Sequence, residues 1–417
     1  MIITTRNRGF MKTKILYNSI LISMAVTLTA CSQLAEQYST EAANETSQTL
    51  SVSEADRIAN GGVDMSRISQ DALVKAPETV DCTLENGDAA KCAKIVVKHQ
   101  PDNLKIGPFC PETLDDKGGV WNWDGEKSEL YRIDEKFLTM LETQGYQFYD
   151  ADGKVNIVDV RTTQPTVSNA CLSASADESV EMTILLPLSP VKSDQETSLG
   201  TVAKVGLALD GVPIFADAPS VLQTGHMPAL DTCGGHIDPG GWYHWHATST
   251  DINSVFEHDH VDASCALEQK ADALFAYAFD GYAIYGSVDS NGKIPTDLDA
   301  CNGHTSATLE NPKGGYHYHA STTFPNLPSC LSGVVAQDNF TTTAKQGIGA
   351  ENGTGAGGPG QAAPPGFDTA ATTLGVSEAD LLSAIMKNGG RQLDTAAAAK
   401  DLGVTEAALK AALPNQD

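Results

Sequence analysis

The sequence predicts an α+β protein dominated by β-structure: a disulfide-braced, internally duplicated central domain followed by a small C-terminal helical module. The first sign is a set of landmarks that occurs twice in the same order. A hydrophobic Asp-Gly segment recurs at Asp210 and Asp280, a Cys-x-Gly-His at Cys233–His236 and Cys301–His304, and an aromatic-His-aromatic-His string at Tyr243–His246 and Tyr316–His319. The offsets are 70, 68 and 73 residues between Asp210 and Asp280, His236 and His304, and His244 and His317. Recurrence at one period marks a structural repeat. The second sign is an even set of eight cysteines between Cys82 and Cys330, the pattern of a disulfide framework. The third is a short repeat near the end, Leu374–Leu381 returning as Leu402–Leu409 at an offset of 28.

The elements follow in chain order. Residues 1–30 read as a lipoprotein signal peptide: a basic start at Lys12 and Lys14, then Ile15 to Leu28, apolar but too short to span a bilayer. Leu28-Thr29-Ala30-Cys31 matches a bacterial lipoprotein cleavage box, which makes Cys31 the lipid anchor and the membrane the first partner. The expected location is the bacterial cell envelope, at the outer membrane because Ser32 rather than Asp follows the anchor. Residues 31–76, rich in Ser, Thr, Ala, Glu and Gln, read as a flexible tether. The β-rich domain is expected over 77–335. Lys94–Lys98, Val155–Val160 and Glu181–Leu186 are β-type runs, and Ile133–Thr143 carries Ile133, Phe137, Leu138 and Leu141 at helical spacing. Asp289–Ile294, with Asn291-Gly292, reads as a hairpin turn. A Gly/Pro-rich linker is expected over 336–366 and the helical module over 367–417. In that module Gly375 and Gly403 suit left-handed helix ends, and Ser377 and Thr405 suit N-caps. An envelope protein is its candidate partner.

In an oxidising compartment the eight cysteines make four disulfides. The Asn86-Gly87 turn favours Cys82–Cys92, and the repeat symmetry favours Cys233–Cys265 with Cys301–Cys330, which leaves Cys110–Cys171. The crossed pairing, Cys233–Cys330 with Cys265–Cys301, is equally symmetric.

The chemistry concentrates in the repeat, where nine of ten histidines fall between His226 and His319. Alternate side chains of a strand share a face, so His244/His246 and His317/His319 are ligand pairs, and His236 and His304 follow glycines that let each turn inward as a third ligand. The result is either two three-histidine sites or one site shared between the halves. Imidazole donors suit Zn or Cu rather than Ca or Mg. Asp210, Asp231, Asp280 and Asp299 are candidate acceptors that hold the ring tautomers. Glu257-His258-Asp259-His260 has no repeat mate and reads as a solvated loop. With 53 acidic and 27 basic residues, a formal charge of −26, the chain is not a nucleic-acid binder.

These motifs, Asp210-Gly-Val-Pro-Ile-Phe215, Cys233–His236, Tyr243–His246, Tyr277–Gly286, Cys301–His304 and Tyr316–His319, resemble the YHYH domain family over about residues 180–335. Trp245 stands where the pattern has Tyr. The resemblance implies an exported protein but no particular activity. The expected function is transition-metal binding through the duplicated histidines. The alternatives are an envelope scaffold with structural Tyr/His strands and a metal-dependent envelope enzyme.

Overall fold

The duplicated segments fold into two mirror-ordered halves of one eight-stranded sheet. In the computed structural model, which describes residues 53–200, 203–350, 367–376, 380–381, 384–385 and 395–413, each half is built alike. In the first, Gly235–Ile237 pairs antiparallel with Tyr243–Trp245, which runs parallel to Pro213–Phe215, itself antiparallel to Lys204–Ala208. In the second, Gly303–Ser306 pairs antiparallel with Gly315–His319, which runs parallel to Ala283–Tyr285, itself antiparallel to Leu274–Ala278. The two central strands meet antiparallel, with Leu207 opposite Tyr277. The pseudo-twofold therefore passes through the middle of the sheet, and the histidine strands lie at its two opposite edges. One site shared between the halves is excluded by this order.

Four carboxylates, Asp231 and Asp280 buried, Asp210 half-buried and Asp299 exposed, hold the turns and the aromatic residues. Asp231 Oδ1 accepts from the Cys233 and Gly235 amides, and Asp299 Oδ1 from those of Cys301 and Gly303. Between those amides the backbone is left-handed, at Gly234 (φ +83°) and Asn302 (φ +61°), the second being a residue type that tolerates this region. The other oxygens take the Tyr243 and Tyr316 hydroxyls at 2.7 and 2.8 Å. Asp210 accepts from the Trp245 indole N–H at 3.1 Å and Asp280 from the Tyr318 hydroxyl at 2.5 Å. Thus all four carboxylates bind the aromatic residues of the motif, not its imidazoles as their position in the sequence suggests. The Tyr-to-Trp change at Trp245 preserves a donor. Burial pushes the Asp210 and Asp231 carboxyls up to about 6.

The remaining strands brace this sheet. Ala89–Lys98 lies between Glu78–Thr83 and Glu181–Pro187, and Phe340–Thr342 adds the fourth strand. The expected helix is Glu135–Thr143, capped by Asp134, with Phe137, Leu138 and Leu141 buried. The disulfides are Cys82–Cys92, Cys110–Cys171, Cys233–Cys265 and Cys301–Cys330, so the crossed pairing does not form.

Two boundaries differ from those expected. Residues 53–76, placed in the tether by composition, pack on the body: Val63, Ile68, Ala72 and Leu73 are buried in the main core, and Arg57 donates to the Val63 and Leu188 carbonyls. A few well-spaced aliphatic residues suffice where a neighbouring sheet covers them. Residues 336–350, placed in the linker, supply a strand and the buried Ala336, Phe340 and Ala344. In the helical module, Phe367–Leu374, Thr395–Asp401 and Glu406–Ala412 share a core of Ala370, Ala371, Ala398, Ala399 and Leu409. Gly375 and Gly403 are left-handed (φ +70° and +68°) and Thr405 caps through the Ala408 amide. Ser377, Cys31 and the signal segment lie outside the described residues.

Tyr318 joins buried Asp280 to the buried Ser332 amide, which donates to its hydroxyl at 2.7 Å. Tyr318→Phe orphans the Ser332 amide and takes one donor from Asp280, which keeps the Gly333 and Tyr282 amides; it is expected to cost about 1–3 kcal/mol, measured as a lower urea midpoint for the oxidised protein.

Candidate metal centres

The register of the edge hairpins assembles each triad. His236 lies directly opposite His244, and His304 directly opposite His317. A cross-strand pair shares a face, and the residue two further along the strand, His246 or His319, joins the same face. The glycine before each third histidine has a second role. A Cβ on Gly235 or Gly303 would collide with the Tyr243 or Tyr316 ring, so the hairpin closes only with glycine there.

In the first half the three Nε2 atoms form a triangle: His236 to His244 3.1 Å, His244 to His246 3.0 Å and His246 to His236 3.2 Å. His246 Nδ1 lies 2.6 Å from the Ala216 carbonyl, and His236 hydrogen-bonds the backbone of Pro228. A carbonyl only accepts, so the His246 proton sits on Nδ1 and its Nε2 lone pair faces inward. Buried His244 Nδ1 has no hydrogen-bond partner. Phe215 and Trp242 pack on the His244 ring, with centroids at 5.2 and 4.9 Å.

The second half repeats the triad and adds a carboxylate. His317 Nε2 and His319 Nε2 are 3.1 Å apart. Their Nδ1 atoms face the carbonyls of Gly315 (2.9 Å) and Gly286 (2.7 Å). Asp289 Oδ1 stands 3.3 Å from His304 Nε2 and 3.5 Å from His319 Nε2, while Asp297 accepts from His304 Nδ1 at 2.9 Å. Ser306 Oγ also approaches His304 Nε2, at 3.2 Å. Asp289, His304, His317 and His319 thus form one candidate cluster and His236, His244 and His246 the other. A third grouping, Glu196 with Cys301 and Cys330, is no metal site because both sulfurs are spent in a disulfide.

Four of the imidazoles, His236, His244, His317 and His319, are pushed towards the neutral form. Burial pushes His236 and His244 well below the ordinary histidine range, and the neighbouring imidazoles push them the same way. Burial likewise lowers His317 to about 4 and shifts His319 downward, with Asp289 opposing in both. A hydrogen-bonded role without metal then meets an obstacle at His317 and His319. With both Nδ1 atoms donating to carbonyls, no proton remains to place between two Nε2 lone pairs 3.1 Å apart. A cation removes the repulsion. Donors about 2.0–2.1 Å from a tetrahedral ion lie about 3.3–3.4 Å from one another, close to the separations of 3.0 to 3.5 Å at the two centres.

All six histidines anticipated as ligands converge, in two separate triads. Asp289 and Asp297 were not anticipated. Counted back along the repeat, their positions hold Pro219 and Ala229 in the first half, so a search for matched residues passes over them. Asp289 lies in the segment expected to be a turn, which it is, its amide donating to the Lys293 carbonyl. His258 and His260 join no cluster, and His258 pairs with adjacent Asp259.

The class of protein defined here is a disulfide-braced β-domain carrying duplicated histidine centres. A family model described as YHYH protein matches residues 183–296 and 290–333, and the chain carries a YHYH-family domain over that stretch, which spans both centres. No curated protein and no solved structure matches the chain.

The histidine shifts set the sign of a pH test. His317, with a folded value near 4 against an ordinary 6.5, refuses a proton that the unfolded chain accepts, so its contribution to stability is lost as pH falls from 6.5 towards 4. Asp210 and Asp231, raised to about 6, act in the opposite sense, their contribution being lost as pH rises from 3.8 through 6. Comparing melting temperatures with added Zn²⁺ and with chelator at each pH cancels the carboxylates. The metal-dependent increment is expected to be large at pH 7 and to vanish near pH 4, because protons and metal compete for the same nitrogens.

Proposed function

We propose that this protein is exported, tethered by lipid at Cys31, and binds two transition-metal ions, one in each half of its duplicated domain. The observation that carries the reading is the His317–His319 pair, two carbonyl-anchored imidazoles whose Nε2 atoms are 3.1 Å apart. The nitrogen-dominated donor sets favour Zn or Cu over oxygen-seeking Ca or Mg. Export is supported by the basic start and the Leu28–Cys31 box, and by four disulfides, which persist in oxidising compartments. Among the described residues no helix is long and apolar enough to cross a membrane, so the anchor is the proposed attachment to the outer membrane.

Elemental analysis of the protein expressed to the periplasm tests this directly. Two ions per chain are expected in the wild type. His244→Ala with His246→Ala should remove one, and His317→Ala with His319→Ala the other. A wild-type protein with no bound transition metal, after exposure to Zn²⁺ and Cu²⁺, refutes the proposal. Asp297→Asn is expected to weaken the second centre about 10–100-fold without affecting the first, read by competition with a chromophoric chelator.

A further inference from the structure

The two centres have diverged in charge and in donor number, and the divergence specifies different coordination chemistry. At the second centre Asp289 stands with three imidazoles at 3.3 and 3.5 Å from two of them, which are tetrahedral edges for an ion of ordinary bond length. Asp297 behind His304 supplies a second negative charge. A divalent ion held there is neutralised by the protein and coordinatively closed. At the first centre the ligand cluster is three imidazoles alone among the described residues. The outer partners are the backbone carbonyl of Ala216 and the backbone of Pro228, where the second half uses the Gly286 carbonyl and Asp297. The neighbours packed on His244 are aromatic, Phe215 and Trp242. Three neutral nitrogens give a divalent ion no counter-charge, and an uncompensated charge away from water is costly. His236 is part-buried where His244 and His246 are fully buried, which makes its side the triad's nearest approach to solution.

Resting on the metal-binding reading above, we infer that the first centre completes its coordination with a small anion taken from solution, whereas the second is closed by Asp289. In chemical terms a hydroxide or another small anion occupies the fourth position on the His236/His244/His246 ion, and an incoming anion displaces it. Three protein ligands with an exchangeable fourth is the arrangement of reactive metal sites, and four protein ligands that of structural ones.

Cobalt(II) and azide provide the test, with the full chain loaded in chloride-free buffer and the visible ligand-field spectrum followed during azide titration. The expected result is that half of the bound cobalt responds, with one azide taken up per two ions. His244→Ala with His246→Ala should leave one cobalt whose spectrum azide does not change. Asp289→Ala, at a partly exposed position, should make the second ion respond as well, giving one azide per ion. Two bound ions that respond equally in the wild type, or that both ignore azide, overturn the inference while the metal-binding reading stands. An Asp289→Ala spectrum with wild-type azide response overturns it too. Failure of cobalt, zinc and copper alike to bind overturns the underlying reading and the inference with it.

Discussion

The constraint on which the rest of this structure depends is the tethering of imidazole Nδ1–H groups to backbone carbonyls. Neutral imidazole has one proton, and placing it on Nδ1 commits Nε2 to being an acceptor. His246 is committed by Ala216, His319 by Gly286 and His317 by Gly315. Once committed, two such rings brought together on one sheet face, as His317 and His319 are, present only lone pairs to one another. Burial closes the other escape, protonation, by holding His317 near 4 and His236 and His244 well below their ordinary range. The remaining way to satisfy the geometry is a shared cation.

The scaffold that imposes this arrangement divides each motif by face. The aromatic residues turn to one side and are anchored by carboxylates, Tyr243 on Asp231, Tyr316 on Asp299, Trp245 on Asp210 and Tyr318 on Asp280. The histidines turn to the other. Because Asp231 and Asp299 also cap the Cys-x-Gly-His turns, one group in each half sets both the entry of the edge strand and the depth of its neighbour. The disulfides Cys233–Cys265 and Cys301–Cys330 start at these turns and tie each edge to the body. Positional precision at the nitrogens is thus supplied from the opposite face of the sheet.

Duplication followed by divergence explains why the halves match in register and differ in charge. The paired positions His236/His244 and His304/His317 are the same cross-strand contact, and Ala216 and Gly286 occupy corresponding places behind the third ring. Asp289 and Asp297 have no counterparts. A carboxylate in each of two loops changes the net charge around an ion without disturbing the strands, because both lie outside the paired segments.

Much of this was legible in the sequence, for reasons of period and symmetry. Alternation in Tyr-His-Tyr-His determines by itself that the imidazoles share a face, and the repeat determines that there are two sets of three. The Asn86-Gly87 turn and the matched cysteines likewise point to the bridges that form. The glycine and threonine of Leu402–Leu409 specify a helix end and a cap at Gly403 and Thr405. What only the tertiary structure decided is anything set by pairing across distance. Strand order separates the two triads to opposite edges, a choice invisible locally because either association satisfies the same alternation. The role of Asp210, Asp231, Asp280 and Asp299 as partners of aromatic residues depends on which face each loop meets. Residues 53–76 look like spacer until a sheet covers Val63 and Ile68. Asp289 joins the second cluster only because a turn folds back over His304 and His319, a closure whose reward lies in the finished site and not in its own few residues.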